Sequence, residues 1–350
     1  MRQGPDAQCF DVTIVGGGPA GLFACFYSGL RGAKTKVIEA DAELGGKLRF
    51  YREKLIWDVG GKAPVTGDEL LTSLLRQART FSPRILTRQR VTSIRRETDA
   101  YFALETAEGA IHRSKAIILA YGSGILSPRP LRLGRDDHEV RADNLYYAIP
   151  SLSLFRDRVV LISGGGHAAV DWARSLGHVA KQTVVVYRGE NMRGFESEVH
   201  ELHALGVVCH RQTIIQDVIR DPSGKRIEAV VLRMNGVVHP TVMKVDALLV
   251  CHGYEQDEAL LAQSPLPIQW TKDRKIVAGV SGQTSEEGIY ACGDVVEKPG
   301  KLYLLAGAFH DAIQAVNQAK LYLDPSACAF EMVSSHHERL TARSAQFTVR

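Results

Sequence analysis

The chain has 350 residues, 45% of them apolar and 23% charged, with a formal net charge of +4. That composition is globular and long enough for two domains, with no apolar run approaching the ~20 residues of a membrane span and no apolar signal core in residues 1–10, so a cytoplasmic protein without membrane contact is expected. The six cysteines contain no C-x-x-C, which fits reduced thiols better than a disulfide frame, and no dense Lys/Arg block with interleaved aromatics points to nucleic acid.

In chain order, Val12-Thr13-Ile14-Val15 reads as a strand and Gly16-Gly17-Gly18-Pro19-Ala20-Gly21 as a G-x-G-x-x-G turn. An apolar helix runs to Leu30, and Lys36-Val37-Ile38 forms a second strand ending in Glu39. Gly16 permits the tight turn, Gly18 lets backbone approach a pyrophosphate, and Gly21 lets helix and strand pack closely. The helix start offers unpaired N–H groups to a diphosphate. Glu39, 23 residues beyond Gly16, can accept both hydroxyls of an adenosine ribose. The glycine spacing alone also fits an ordinary turn; strand, helix and acid together make it a dinucleotide site.

Leu44-Gly45-Gly46-Lys47 follows as a glycine pair where backbone can pass close to a ligand, ahead of Tyr51 and Ile56-Trp57-Asp58-Val59. The stripe Leu70, Leu71, Leu74, Leu75 and Ala78 predicts an amphipathic helix over 67–81. Strand-like runs at 91–95, 101–106 and 110–112 suggest a small antiparallel insert, and Ala116-Ile117-Ile118-Leu119-Ala120 a separate buried parallel strand. Tyr121-Gly122-Ser123-Gly124, with Pro128 and Pro130, marks a crossing between domains.

A second unit then repeats the first, 148 residues later. Val159-Val160-Leu161-Ile162 is its strand, Gly164-Gly165-Gly166-His167-Ala168-Ala169 its turn, and Thr183-Val184-Val185-Val186-Tyr187-Arg188 its second strand. Where the first unit has Glu39, this one has Arg188, with Arg193 close behind. A carboxylate favours a free 2′-hydroxyl, whereas arginines accommodate a 2′-phosphate, so the first site reads as FAD and the second as NADP. The alternative for Arg188 is a solvated strand-end cation; His167 can donate to a phosphate or simply be solvated. Strands at 227–234 and 247–250 lead to Cys251-His252-Gly253-Tyr254, where His252 reads as structural rather than as a general acid. The Cys and His residues lack metal-ligand spacing, so no metal is expected.

Gly288-Ile289-Tyr290-Ala291-Cys292-Gly293-Asp294 returns the chain to the first domain, where Asp294 can accept from the ribitol hydroxyls of a flavin. A helix over 304–323, stopped by Asp324-Pro325, can aim its N-terminal dipole at the flavin's pyrimidine. The expected architecture is α/β: two Rossmann-like, three-layer (ββα/βαβ) nucleotide-binding domains. An FAD domain at 1–124 and 285–350 is split around an NAD(P) domain at 125–284, with rotation between them during turnover.

This order resembles the thioredoxin-reductase-like flavoproteins. Members that reduce thioredoxin carry a C-x-x-C at the start of the second domain, where this sequence has Asn144-Leu145-Tyr146-Tyr147-Ala148-Ile149-Pro150-Ser151. The chain is more similar to the thioredoxin-reductase-type ferredoxin/flavodoxin–NADP+ reductases, homodimeric FAD enzymes without the dithiol. Ile14-Val15-Gly16-Gly17-Gly18-Pro19-Ala20-Gly21-Leu22-Phe23, Leu44-Gly45-Gly46-Lys47-Leu48, Pro299-Gly300-Lys301-Leu302 and Ala315-Val316-Asn317-Gln318-Ala319-Lys320 carry the resemblance.

It implies that Glu39 holds the adenosine ribose, Lys47 lies along FAD and Tyr51 stacks on the isoalloxazine. It further implies Val91 at the adenine through its backbone, Leu126 against the flavin, Asp294 on ribitol and Ser335 nearby. Gly16, Gly18, Pro19, Ala20, Gly21, Gly46, Asp58 and Gly122 complete the FAD set; Gly164, Gly166, His167, Ala168, Arg188 and Arg193 form the NADP set. Three positions depart from the family pattern: Val333 stands where a His covers the flavin, Gly189 where a second arginine follows, and Tyr121 where a small residue is usual. The implied reaction is hydride transfer from NADPH to flavin N5, then single-electron delivery to an acidic ferredoxin or flavodoxin, with no side chain as proton donor. An NAD(P)H oxidase or small-molecule flavin reductase also fits the residues, as does a slow-turnover flavoprotein with a docking role.

Overall fold

The structure, a computed structural model, describes residues 8–98, 101–134, 137–194, 196–256, 258–329 and 333–344, without the side chains of 125, 126 and 342–344. It divides into two compact units, one of Met1–Ile125 with Gln256–Arg350 and one of Leu126–Glu255. The first unit begins with β1 (Cys9–Val15), α1 (Pro19–Leu30), β2 (Thr35–Ile38), α2 (Gly67–Ala78), β3 (Arg84–Leu86), β4 (Val91–Thr98), β5 (Tyr101–Thr106) and β6 (Ile111–Leu119). The second supplies β7 (Leu145–Tyr146), β8 (Val159–Ser163), α3 (His167–Gly177), β9 (Gln182–Val186) and α4 (Glu196–Ala204). It continues with β10 (Val208–His210), β11 (Thr213–Arg220), β12 (Ile227–Met234), β13 (Thr241–Lys244) and β14 (Ala247–Val250). The first unit is then completed by β15 (Ile289–Ala291) and α5 (Leu305–Leu323). The class is α/β, as expected.

The first unit's sheet runs β3-β2-β1-β6-β5-β4, with β15 also paired to β6. One face packs against α1, α2 and α5 through Ile14, Leu22, Leu74 and Ala315; the other buries Ile38, Phe102 and Ile117. β6 unites what the sequence reads as two strands. Its start is antiparallel to β5, with Leu104 opposite His112, and its end is parallel to β1, with Val15 opposite Leu119. The polar stretch between them continues the strand rather than looping, with Ser114 and His112 facing inward: Ser114 Oγ donates to Ala116 O at 2.8 Å, and His112 lies 2.7 Å from Gln89 Oε1. α2 starts at a capping box between Thr66 and Glu69 and ends at Ala78, giving way to a 3₁₀ turn over Arg79–Phe81 instead of continuing to 81.

The second unit has a parallel sheet, β7-β14-β8-β9-β10, and a three-stranded antiparallel sheet, β11-β12-β13. Buried Asn144 ties β12 to the approach of β14: Nδ2 donates to Ile227 O at 2.8 Å and Asp246 O at 3.0 Å, while Oδ1 accepts from Ile227 N–H at 2.8 Å. The unit ends at Glu255, not at 284. Residues 256–284 return to the first unit because Leu260, Ile268, Ile276 and Ala278 bury in its core with Val15 and Ile117. Ile276 also pairs with Val296 in parallel register.

Candidate functional site

The first glycine turn joins β1 to α1. Gly16 sits at φ +106, and a Cβ there would stand 2.6 Å from the Ala120 carbonyl oxygen; a Cβ at Gly21 would lie 1.9 Å from Gly16 O. Gly18 differs, with extended backbone (φ −74, ψ −177) and nothing nearer to an added Cβ than Gly46 Cα at 3.7 Å. Packing therefore demands glycine at 16 and 21 but not at 18, where the missing side chain leaves open space for a ligand. No side chain caps α1, and Pro19 has no N–H to satisfy, so the first-turn N–H groups around Ala20 and Gly21 remain for an anion. This cradle fits the diphosphate of a dinucleotide.

Four further segments converge on the turn. Glu39, at the end of β2, accepts from Gly17 N–H at 2.6 Å and from Asp41 N–H at 2.9 Å. Burial holds its carboxyl above the usual carboxylate range, against these two donors that favour the charged form. Gly46, at φ +52, lies on the turn: its Cβ would sit 2.9 Å from Gly18 Cα. Lys47 Nζ donates to Asp294 Oδ2 at 2.9 Å and to Ser123 Oγ at 3.0 Å. Gly293 faces Ala20, where a Cβ would come within 2.8 Å of Ala20 Cβ, which carries Asp294 to the start of α1. Ser123, one residue beyond Gly122 (φ +67), was not singled out from sequence, although its Gly-x-Gly turn was. The site thus forms at the carboxyl ends of parallel strands, where α/β sheets bind ligands.

The other predicted flavin residues are less concentrated. Tyr51 ends a 3₁₀ helix over Gly46–Tyr51, with the Lys54 ammonium 5.7 Å from its ring centroid. Asp58 is exposed, and Val91 buries its side chain in the core and pairs with Thr106 of β5. The Leu126 side chain lies outside the described residues. Ser335 is exposed in a turn over Ser334–His336. The tail's described ring contacts are with Phe81, which His337 meets edge-on at 5.0 Å and Arg339 overlies at 5.5 Å, rather than with Lys47 or Asp294.

The second glycine turn repeats the division of labour. A Cβ at Gly164 (φ +148) would stand 2.5 Å from Cys251 O, whereas one at Gly166 meets nothing within 4 Å. α3 starts at His167 without a side-chain cap, and His167 and Ala168 are both exposed. The loop after β9 folds back on the turn, Arg193 N–H donating to Gly165 O at 2.7 Å. Arg188 and Arg193 are exposed and take part in no ion pair among the described residues. The first turn therefore presents a carboxylate where the second presents two guanidinium groups.

His252 lies 2.8 Å from Ser163 Oγ, at the foot of the second turn. Burial and, secondarily, the Arg188 charge hold its imidazole below the ordinary value. The unfolded chain takes up a proton below about pH 6.5 while folded His252 stays neutral, so stability is lost as pH falls from there through the folded value. Between about pH 7.5 and about pH 5.5 the urea midpoint is expected to fall more in wild type than in His252→Gln; equal falls would remove this role for His252.

Burial raises the thiols of Cys25, Cys251 and Cys292 to about 12, which leaves them unreactive. Among the described residues no group of His, Cys, Asp and Glu could hold a metal, and no helix is long and apolar enough to cross a membrane.

Residues 10–319 match the family described as pyridine nucleotide-disulphide oxidoreductase. The chain is 44% identical to ferredoxin–NADP reductase 2 of Exiguobacterium sibiricum over 340 residues, covering 97% of this chain and 96% of that protein. It is also 44% identical to ferredoxin–NADP reductase 1 of Bacillus licheniformis, covering 97% of each. Among solved structures, thioredoxin reductase from T. acidophilum superposes with a TM-score of 0.74 at 22% identity, over 91% of this chain and 99% of that one.

Proposed function

The chain belongs to the pyridine nucleotide-disulphide oxidoreductase family, and from that premise we propose that it carries electrons from NADPH to a ferredoxin or flavodoxin. It is an FAD- and NADP(H)-dependent oxidoreductase of the thioredoxin-reductase type, similar throughout to relatives named ferredoxin–NADP reductase. The observation that carries the finer reading is the pair of glycine turns with opposite charge at matching places, Glu39 on one and Arg188 with Arg193 on the other.

In this reading the first unit holds FAD. The α1 N-terminus and the open backbone at Gly18 take the diphosphate, and Glu39 accepts the adenosine ribose hydroxyls. Lys47 and Asp294, already paired, fix the ribitol, while Tyr51 lies along the ring. Bound there, FAD supplies the redox chemistry, accepting electrons in pairs and releasing them singly. The second unit holds NADPH, with Gly166 and the α3 N-terminus on its diphosphate and the two arginines on its 2′-phosphate. The sequence has no C-x-x-C, which argues for direct delivery to a carrier rather than a dithiol relay. A homodimer belongs to the same reading and is checked by sedimentation.

Val333, half-exposed where the family pattern has a His, is the one observation favouring direct transfer to oxygen or a small acceptor. Cytochrome c reduction by NADPH separates the two. The proposal expects it to depend on added ferredoxin or flavodoxin; rapid oxygen consumption indifferent to either carrier would favour an oxidase.

A further inference from the structure

Lys298, Lys301 and Asp311 form a buried ion cluster that none of the roles above uses. The Asp311 carboxylate, on α5, accepts from Lys298 Nζ at 2.7 Å and Lys301 Nζ at 2.5 Å, and the three side chains are 3–6% exposed. Asp311 Oδ2 also accepts from Gly293 N–H at 3.3 Å, and Lys298 donates to Val280 O at 2.8 Å. Two ammonium groups on one carboxylate leave a positive charge uncompensated where there is little water. The nearby acids are engaged elsewhere: Asp294 with Lys47 at 2.9 Å, and Glu297 with the Tyr303 hydroxyl at 2.9 Å and Lys275 at 3.9 Å.

Such an arrangement is costly for folding, since buried ions regain their lost hydration only when well paired, and apolar residues of similar size would pack there at least as stably. Its position gives it another use. The cluster is hydrogen-bonded to Gly293, the residue before Asp294, and it lies beside the start of α5, whose N-terminus has no side-chain cap and adds a field of the same sign. We infer that Lys298 and Lys301, held on Asp311, are a fixed positive charge that favours the reduced, electron-rich state of FAD bound at the Asp294 turn. This rests on the assignment of FAD to the first unit.

The test is the midpoint potential of the bound flavin in the holoenzyme, read by equilibration with a reference dye. Lys298→Met and Lys301→Met each remove a positive charge and are expected to lower the reduced-to-oxidised ratio at a fixed solution potential about tenfold, about 30 mV for a two-electron couple. Asp311→Asn removes the negative charge and is expected to shift the ratio the other way, while Lys301→Arg keeps the wild-type potential. Loosened packing would not give shifts of opposite sign. If Asp311→Asn does not fold, the two lysine-to-methionine variants set against Lys301→Arg decide the question. FAD content keeps the premise separate: normal FAD in Gly18→Ala would overturn the site assignment. Unchanged potentials in FAD-replete Lys298→Met and Lys301→Met would overturn the inference alone.

Discussion

Gly18→Ala is expected to leave the chain folded and to strip it of FAD. The backbone at Gly18 is extended, a conformation any residue adopts, and an added Cβ would meet its nearest protein atom at 3.7 Å. The fold therefore has no objection to alanine. A ligand drawn onto the turn does, because the methyl occupies the space through which a diphosphate reaches the N–H groups of the turn and helix. Losing two charge-assisted backbone bonds of about 1.5 kcal/mol each removes about 3 kcal/mol, on the order of a hundredfold in affinity. Gly16→Ala is the contrasting control, since its Cβ would collide with Ala120 O at 2.6 Å and damage the fold itself. Circular dichroism and flavin content of the two proteins distinguish a ligand-driven glycine from a packing-driven one. Retention of FAD by Gly18→Ala would move the flavin away from this turn.

The second large effect is expected from removing the arginines after β9. Arg188 and Arg193 stand exposed beside the second turn, and the Arg193 backbone is tied to Gly165 O at 2.7 Å, which fixes the loop that carries both. Charge-assisted bonds to a phosphate contribute about 1.5–3 kcal/mol each, so the double variant Arg188→Ala with Arg193→Ala is expected to raise the KM for NADPH about a hundredfold. NADH lacks the 2′-phosphate, and its KM is expected to change by less than about threefold. Steady-state kinetics with both nucleotides measures the ratio; equal losses for NADPH and NADH would assign the arginines to the shared diphosphate instead.

The two glycine turns were legible because each packs its signal into about two dozen consecutive residues: strand, glycines, helix and a charged residue at the next strand end. Glycine spacing reports a backbone need directly, and the structure divides that need into packing at Gly16, Gly21 and Gly164 and open space at Gly18 and Gly166. What lay beyond reach depends on contacts between distant segments. β6 was read as two strands because Arg113-Ser114-Lys115 looks like a polar break until Ser114 is found buried within the strand. β11 escaped because register shifts, one between Ile215 and Asp217, break the alternation that marks a strand. Residues 256–284 looked like the end of the second domain; only the burial of Leu260 and Ile276 against the first unit's strands shows where they pack. The Lys298–Asp311–Lys301 cluster has no local pattern, since a short loop and a helix two turns in supply its members.

In the proposed cycle, electrons enter from NADPH at a flavin and leave to a protein carrier. Anaerobic stopped-flow mixing of the FAD-loaded protein with NADPH, followed by oxidised ferredoxin or flavodoxin, tests it most directly. Rapid bleaching of the flavin band by NADPH, much slower bleaching by NADH, and prompt recovery of the band as the carrier is reduced are expected. A flavin that NADPH does not bleach, or one that stays bleached until oxygen is admitted whichever carrier is present, would contradict it.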